Sequence, residues 1–159
     1  MVPLPAFLPL CNRQYVVGER YRLSEAEDRS HASHAHYFAC INEVWKNLPD
    51  HLAVLHPDAE HLRKWALCRT EYHIDRKVAC SSEQEARRIA AFLRPTDYRE
   101  YVEISVSGNM VIERKPKSQS MKAMGKIAFQ DSKDAVLNVL SELIGISLDD
   151  LSRNAGRAA

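Results

Sequence analysis

The chain has 159 residues, of which 45% are hydrophobic and 27% charged, the size and composition of one globular domain with a real core. Lys and Arg total 22 against 21 Asp and Glu, a formal net charge of +1, which excludes a histone-like polycation and an acidic disordered segment. Five Gly and seven Pro argue against low-complexity and collagen-like sequence. Near-neutrality still allows charge to be segregated along the chain.

The cysteines and the amino-terminal segment indicate the cellular compartment in which we expect the protein. Cys11, Cys40, Cys68 and Cys80 are widely spaced and form no CxxC, which argues against a disulfide-rich secreted scaffold and predicts reduced, mostly buried thiols in a cytoplasmic protein. The apolar first ten residues contain three prolines and no basic residue, so we expect no signal peptide. No apolar run approaches the ~20 residues of a membrane span, so we expect no membrane association.

The first half of the chain predicts strand and then helix. Residues 14–23, rich in Tyr, Val and Arg, are typical of one strand or of two short ones. Apolar residues at helical spacing predict a helix from about 30 to 47, which Pro49 ends. After a short turn, a second helix is predicted over about 58–72.

A strand, a helix and a hairpin are predicted next. Residues 73–80 are typical of a short strand, and Ser82 is a good N-cap for a helix to about Arg94. Alternating, β-branched runs at 98–107 and 110–115 are joined at Ser-Gly-Asn, which predicts a hairpin.

The last third predicts two helices. A helical segment at about 120–129 runs into 131–144, whose apolar stripe ends before a C-capping glycine, Gly145. Ser147 starts a further short helix.

These elements predict one fold class. We expect a single α+β domain over residues 1–159, with a small, mostly antiparallel sheet that includes the hairpin and is packed by about five helices. The two ends, 1–12 and 154–159, are expected to be loosely ordered.

A histidine-rich stretch is the first candidate for chemistry. His31, His34, His36 and Cys40 lie in the predicted first helix, where His36, Cys40 and Glu43 share one face. A zinc site needs four ligands, or three and a water, and no recognised zinc spacing supplies the rest. We therefore predict no metal and no cofactor, with His36 and Cys40 as weak candidates. The chain also contains no GxSxG, HExxH, P-loop or GxGxxG pattern, so we expect no catalysis.

Basic residues give a more informative pattern. The stretch from 114 to 126 contains no acid and holds five cations: Arg114, Lys115, Lys117, Lys122 and Lys126. On a helix that opens near Ser120, Lys122, Lys126 and Phe129 share one face. Cations that track phosphates beside a ring that stacks on a base are typical of single-strand binding. The alternative is a solvated loop with Phe129 packed in the core.

Further residues would extend the predicted single-strand-binding surface. Ser118, Gln119 and Ser120 offer uncharged donors to phosphate oxygens. A second basic group would extend the predicted binding surface, and it consists of Arg63, Lys64 and Arg76. Acids nearby partly neutralise this group.

Three segments resemble a known family. DRSHASHAHYFACINEVW resembles the "RS-x-x-Q-N-x-x-x-W-A" opening helix of the lambdoid phage Orf (NinB-type) recombination proteins, and DAEHLRKWALC is similar to their "AE-x-W-K" helix. KSQSMKAMGKIAF is similar to their Ser/Thr-rich segment before a carboxy-terminal helix. The order agrees from about Arg29 to Leu143, although Ser33-His34 stands where that family has Gln-Asn.

The resemblance implies a phage-type, non-catalytic accessory protein of DNA recombination. It implies an intertwined homodimer that binds single-stranded DNA and helps to load a recombinase or annealing protein, alongside single-strand-binding protein. Two alternatives stay open. One is a phage interaction module that inhibits a host or defence factor through an apolar patch or the acidic residues 25–28. The other is a metal-dependent nuclease built on residues 31–40.

Overall fold

The computed structural model describes residues 16, 19, 31–97, 100–120 and 123–158. The elements are α1 (His31–Lys46), α2 (Asp50–Ala53), α3 (Ala59–Leu67), β1 (His73–Ala79), α4 (Glu83–Leu93), β2 (Glu103–Ser107), β3 (Met110–Pro116), α5 (Lys126–Ile144) and α6 (Leu148–Ala158). This is the predicted α+β architecture. The predicted strand at 14–23 and the acidic residues 25–28 lie almost wholly outside the described residues, as does Cys11.

Helices α1, α3, α5 and α6 pack around one core. α1 contacts each of the other three, and residues recurring at helical spacing supply its buried face. The largest fully buried side chains of this core are Tyr37, Ile41, Val44, Leu62, Leu67, Val136, Leu140 and Leu151. The helix predicted before Pro49 and the one predicted up to Gly145 are confirmed, and Gly145 adopts the left-handed C-cap conformation with φ 67°.

A second, smaller core joins α4 to the sheet. The strands are antiparallel in the order β1-β3-β2, and Gly108, with φ 59°, turns the predicted hairpin between β2 and β3. α4 begins at its predicted cap, where Ser82 accepts from the backbone N–H of Glu85 at 3.2 Å. It packs Ala86 and Ala90 against Val111.

Three boundaries differ from the prediction. α3 ends at Leu67 instead of about residue 72, because the Thr70 hydroxyl donates to the Leu67 carbonyl at 2.8 Å and accepts from the Tyr72 N–H, which turns the chain into β1. α5 begins at Lys126 instead of near Ser120. β2 begins at Glu103 instead of at about residue 98. Residues 154–158 belong to α6.

Local geometry explains the later start of α5. Ser120 holds a separate turn, in which the N–H groups of Ala123 and Met124 donate to its carbonyl at 3.1 and 3.0 Å. Gly125 is then extended, with ψ 171°, and serves as the N-cap of α5. The side chain of Ala155 in α6 is fully buried, which explains the order of the last turn.

The structure bears on two expectations from the sequence, one about the thiols and one about membrane spans. Cys40, Cys68 and Cys80 are free and buried, as predicted for the described thiols. Among the helices that the structure describes, none has the length and apolar character to cross a membrane.

Candidate nucleic-acid interface

A cavity of about 400 Å³ opens where α1, α3, the segment after β3 and the start of α5 meet. We call it the basic pocket. Its lining residues are His34, Phe38, Glu60, Arg63, Lys64, Pro116, Lys117, Ser118, Gln119, Ser120 and Phe129. It therefore gathers four of the nine residues predicted to bind nucleic acid, namely Arg63, Lys64, Lys117 and Phe129.

The first turns of α3 place the cationic side of the pocket. Asp58 caps the helix by accepting from the His61 N–H at 2.6 Å. One turn further on, Arg63 donates from Nε and Nη2 to the two carboxylate oxygens of Glu60, at 2.7 and 2.6 Å. The Lys64 Nζ lies 3.6 Å from the same carboxylate. Two cations thus surround one acid, which leaves a net positive charge on this side.

Gln119 fixes the segment after β3 against three helices. Its Oε1 accepts from Arg63 Nη1 and, at 3.3 Å, from the Tyr37 hydroxyl, and its Nε2 donates to Ser132 Oγ at 2.7 Å. Ser132 in turn donates to the carbonyl of Phe129 at 2.7 Å. A continuous set of hydrogen bonds therefore links α1, α3 and α5 through a single side chain.

Protonation states in this network follow from burial and charge. Burial raises the pKa of the Tyr37 hydroxyl, although Arg63 and Gln119 oppose it, so Tyr37 remains a donor at neutral pH. Burial acts to raise the pKa of Glu60, but the hydrogen bonds and charges of Arg63 and Lys64 outweigh it and lower the pKa of that carboxyl. Burial acts to lower the pKa of Arg63, but the same ion pair outweighs it and raises that pKa, so Glu60 and Arg63 are both charged at neutral pH.

Aromatic rings form the opposite side of the pocket. His34 is exposed, and its ring lies 4.8 Å from Phe38 and 5.7 Å from Phe129, measured between centroids. Phe38 is half-buried and also contacts Tyr37 edge-on at 5.2 Å. The pocket is thus apolar on the α1 side and cationic on the α3 side.

Phe129 does not occupy the exposed position that the sequence predicts. Its side chain is only 4% exposed, because α5 begins at Lys126 and turns the ring inward against His34 and Tyr37. The ring contributes its edge to the pocket and otherwise belongs to the core. Lys122, predicted on the same helical face, lies outside the described residues. Lys126 is exposed at the first position of α5 and does not line the pocket.

Three predicted cations lie on the sheet instead of at the pocket. Arg114 donates to both carboxylate oxygens of Asp75, at 2.7 and 2.8 Å. Arg76 and Lys115 both contact Glu113, at 2.6 and 3.1 Å. Arg114 is paired with its own acid, whereas Arg76 and Lys115 share one carboxylate, and none of the three lines the basic pocket.

The weak metal candidates lie apart from the pocket. His36 Nε2 is 3.6 Å from Cys40 Sγ and 2.9 Å from Ser152 Oγ, and Cys40 is 1% exposed. Within the described residues, no three His, Cys, Asp or Glu side chains are grouped so that they could hold a metal ion.

The sequence interpretation missed part of the pocket. The sequence marks His34 only as part of the histidine-rich stretch, and Phe38 only as one of the apolar residues that predict the helix from about 30 to 47. The ion pair of Glu60 with Arg63 could have been predicted, since an acid three residues before an arginine on a helix favours such a pair. Comparison of the chain with protein-family models, with curated proteins and with solved structures gives no match.

Proposed function

We propose that this protein binds single-stranded DNA at the basic pocket, without catalysis. The observation that carries the proposal is that Lys117 lines the same cavity as Arg63 and Lys64, which lie in a segment remote in sequence, and that this cavity also has an aromatic side. Cations that bind phosphates beside rings that stack on bases are the usual elements of single-strand recognition. The hydroxyls of Ser118 and Ser120 at the same cavity add donors for phosphate oxygens.

The resemblance to the NinB-type recombination proteins supports an accessory role in recombination. Every lining residue except Pro116 belongs to one of the three segments that carry the resemblance. A homodimer, and a recombinase or single-strand-binding protein as partner, remain part of the proposal on that ground alone.

Fluorescence anisotropy with labelled oligothymidylate at several salt concentrations tests the proposal. Three phosphate contacts, from Arg63, Lys64 and Lys117, predict that log K falls against log salt with a slope of about −2, at ~0.7 per contact on single strands. A duplex of the same length should bind more weakly. An affinity that does not change with salt, or the absence of binding at low salt, would overturn the proposal.

A pair of double variants locates the site. Lys64→Gln with Lys117→Gln should reduce the slope by about 1.4, because two contacts are lost. Lys77→Gln with Lys115→Gln changes the net charge equally, but both residues lie on the sheet, so this control should bind like the wild type. If the control loses as much affinity, the binding surface is the sheet and not the basic pocket.

A further inference from the structure

The basic pocket has a volume that can hold one nucleotide. Its volume of about 400 Å³ lies at the low end of the roughly 300–1,000 Å³ range of small-ligand sites. A strand that crosses it can therefore insert one nucleotide, while its neighbours remain on the surface.

The two sides of the pocket match the two parts of a nucleotide. His34 and Phe38 offer ring surface on α1, and His34 is exposed. The cations of the lining come from other segments: the Lys64 side chain on α3 is 25% exposed, and Lys117 after β3 is exposed, with its Nζ donating to the Glu71 carbonyl at 3.3 Å. Arg63 is 12% exposed and held by Glu60. An apolar wall that faces a cationic rim suits a planar base attached to a phosphate better than it suits a bare anion or an apolar ligand.

The network around Gln119 makes the site rigid before the ligand arrives. Gln119 ties the segment that carries Lys117 to α1, α3 and α5, so the rim cation and the ring wall are held by one set of hydrogen bonds. A preformed site loses less conformational entropy on binding than a mobile loop does.

From these observations we infer that the pocket binds a single nucleotide of the strand, with its base against His34 and Phe38 and its phosphate at Lys64 and Lys117. This inference rests on the proposed function, and it adds that the contact with the base is confined to one position. Stacking of one base on protein rings is worth about tenfold in affinity.

The test uses the full chain and an oligothymidylate that carries one 2-aminopurine. Stacking in the pocket should quench the fluorescence of 2-aminopurine on binding, and His34→Ala should remove the quenching and weaken binding about tenfold, with the salt slope unchanged. His36→Ala is the matched control, because His36 is an exposed histidine of the same helix that contacts Ser152 and does not line the pocket. It should behave like the wild type.

An abasic strand separates this inference from the proposed function. A strand of the same length without bases keeps every phosphate. The wild type should bind this abasic strand about tenfold more weakly than the normal strand. His34→Ala should bind the two strands equally. If the abasic strand binds the wild type as well as the normal strand does, with the expected salt slope, the nucleotide site is wrong and strand binding stands. If no oligonucleotide binds, both are wrong.

Discussion

Arg63 is held by Glu60 through two hydrogen bonds, from Nε at 2.7 Å and from Nη2 at 2.6 Å, one turn apart on α3. The pair fixes the guanidinium at the basic pocket, and it also places a negative charge where phosphate is proposed to bind. The side chain of Glu60 is 47% exposed and that of Arg63 is 12% exposed, so the acid is the member of the pair nearer to solvent. Glu60 therefore positions Arg63, and its charge would repel a phosphate bound at the proposed site.

Glu60→Gln should tighten the binding of single-stranded DNA. The amide can still accept from Arg63, while the repulsion between a carboxylate and a nearby phosphate is removed. At a partly solvated site this repulsion amounts to about 1 kcal/mol, or about fivefold in the dissociation constant. Anisotropy titration at low salt measures the change. The free energy of unfolding should fall by about 1.5–3 kcal/mol, because Arg63 is mostly buried and loses one of its two charge-assisted hydrogen bonds to this side chain.

Glu83→Gln is the control for net charge. Glu83 pairs with Arg87 at 2.5 Å on α4 and does not line the pocket, so this variant alters total charge equally without changing the site. Its affinity should match that of the wild type. Weaker binding of Glu60→Gln, with the control unchanged, would mean that the carboxylate matters more for the position of Arg63 than for repulsion.

Gln119→Leu should destabilise the fold by about 2–3 kcal/mol. The leucine fills a similar volume but leaves Tyr37 and Arg63 without their acceptor and removes a donor to the fully buried Ser132. Urea denaturation measures the loss. Gln130→Leu is the control, because Gln130 is exposed and bonds only to Asp134 on its own helix among the contacts described. The control should change stability by less than about 0.5 kcal/mol.

Two phenylalanines with opposite exposure separate a core role from a stacking role. Phe129 is 4% exposed and Phe92 is 87% exposed. Phe129→Ala should cost about 3–4 kcal/mol in the free energy of unfolding, from lost burial and a new cavity, whereas Phe92→Ala should change it by less than about 0.5 kcal/mol. Denaturant midpoints give both values. A Phe129→Ala variant that keeps its stability but loses DNA affinity would restore the stacking role predicted from sequence.

Most of the fold could be predicted because its signals are local. Periodic apolar residues, the N-cap at Ser82 and the turn at Gly108 each act within a few residues, and the structure contains all of them. The start of α5 was missed because a separate turn at Ser120 precedes the helix. No helical periodicity distinguishes that turn from a first turn of the helix itself.

Part of the site could not be predicted because its charge balance is not local. The stretch from 114 to 126 contains no acid, yet Arg114 is a register partner of Asp75 across the sheet, which lies 39 residues earlier. Only the pairing of β1 with β3 reveals that neutralisation. Lys117 lies just beyond this pairing and lines the basic pocket, so for this cation phosphate binding stays a prediction.

The buried histidine of the α2–α3 connection should make stability fall as the pH falls. His56 is 3% exposed, its Nδ1 lies 3.4 Å from that of His61, and its ring packs against Trp65. Burial lowers the pKa of His56, and the nearby charges of His61 and Arg69 lower it further. Burial, with Lys64, also lowers the pKa of His61 against the opposing charges of Asp58 and Glu103.

The sign follows from proton uptake by the unfolded chain. Below about pH 6.5 an unfolded histidine binds a proton that folded His56 does not, so the stability present above pH 6.5 is lost as the pH falls towards the folded pKa. The loss approaches about 1.4 kcal/mol per pH unit for one proton. Denaturant midpoints between about pH 5 and 8 measure this loss of stability. This pH range lies above the range in which carboxylates normally titrate. His56→Gln should flatten the profile, and His51→Gln, at an exposed histidine of α2, should leave it unchanged. An equal slope in His56→Gln would assign the pH dependence to other groups.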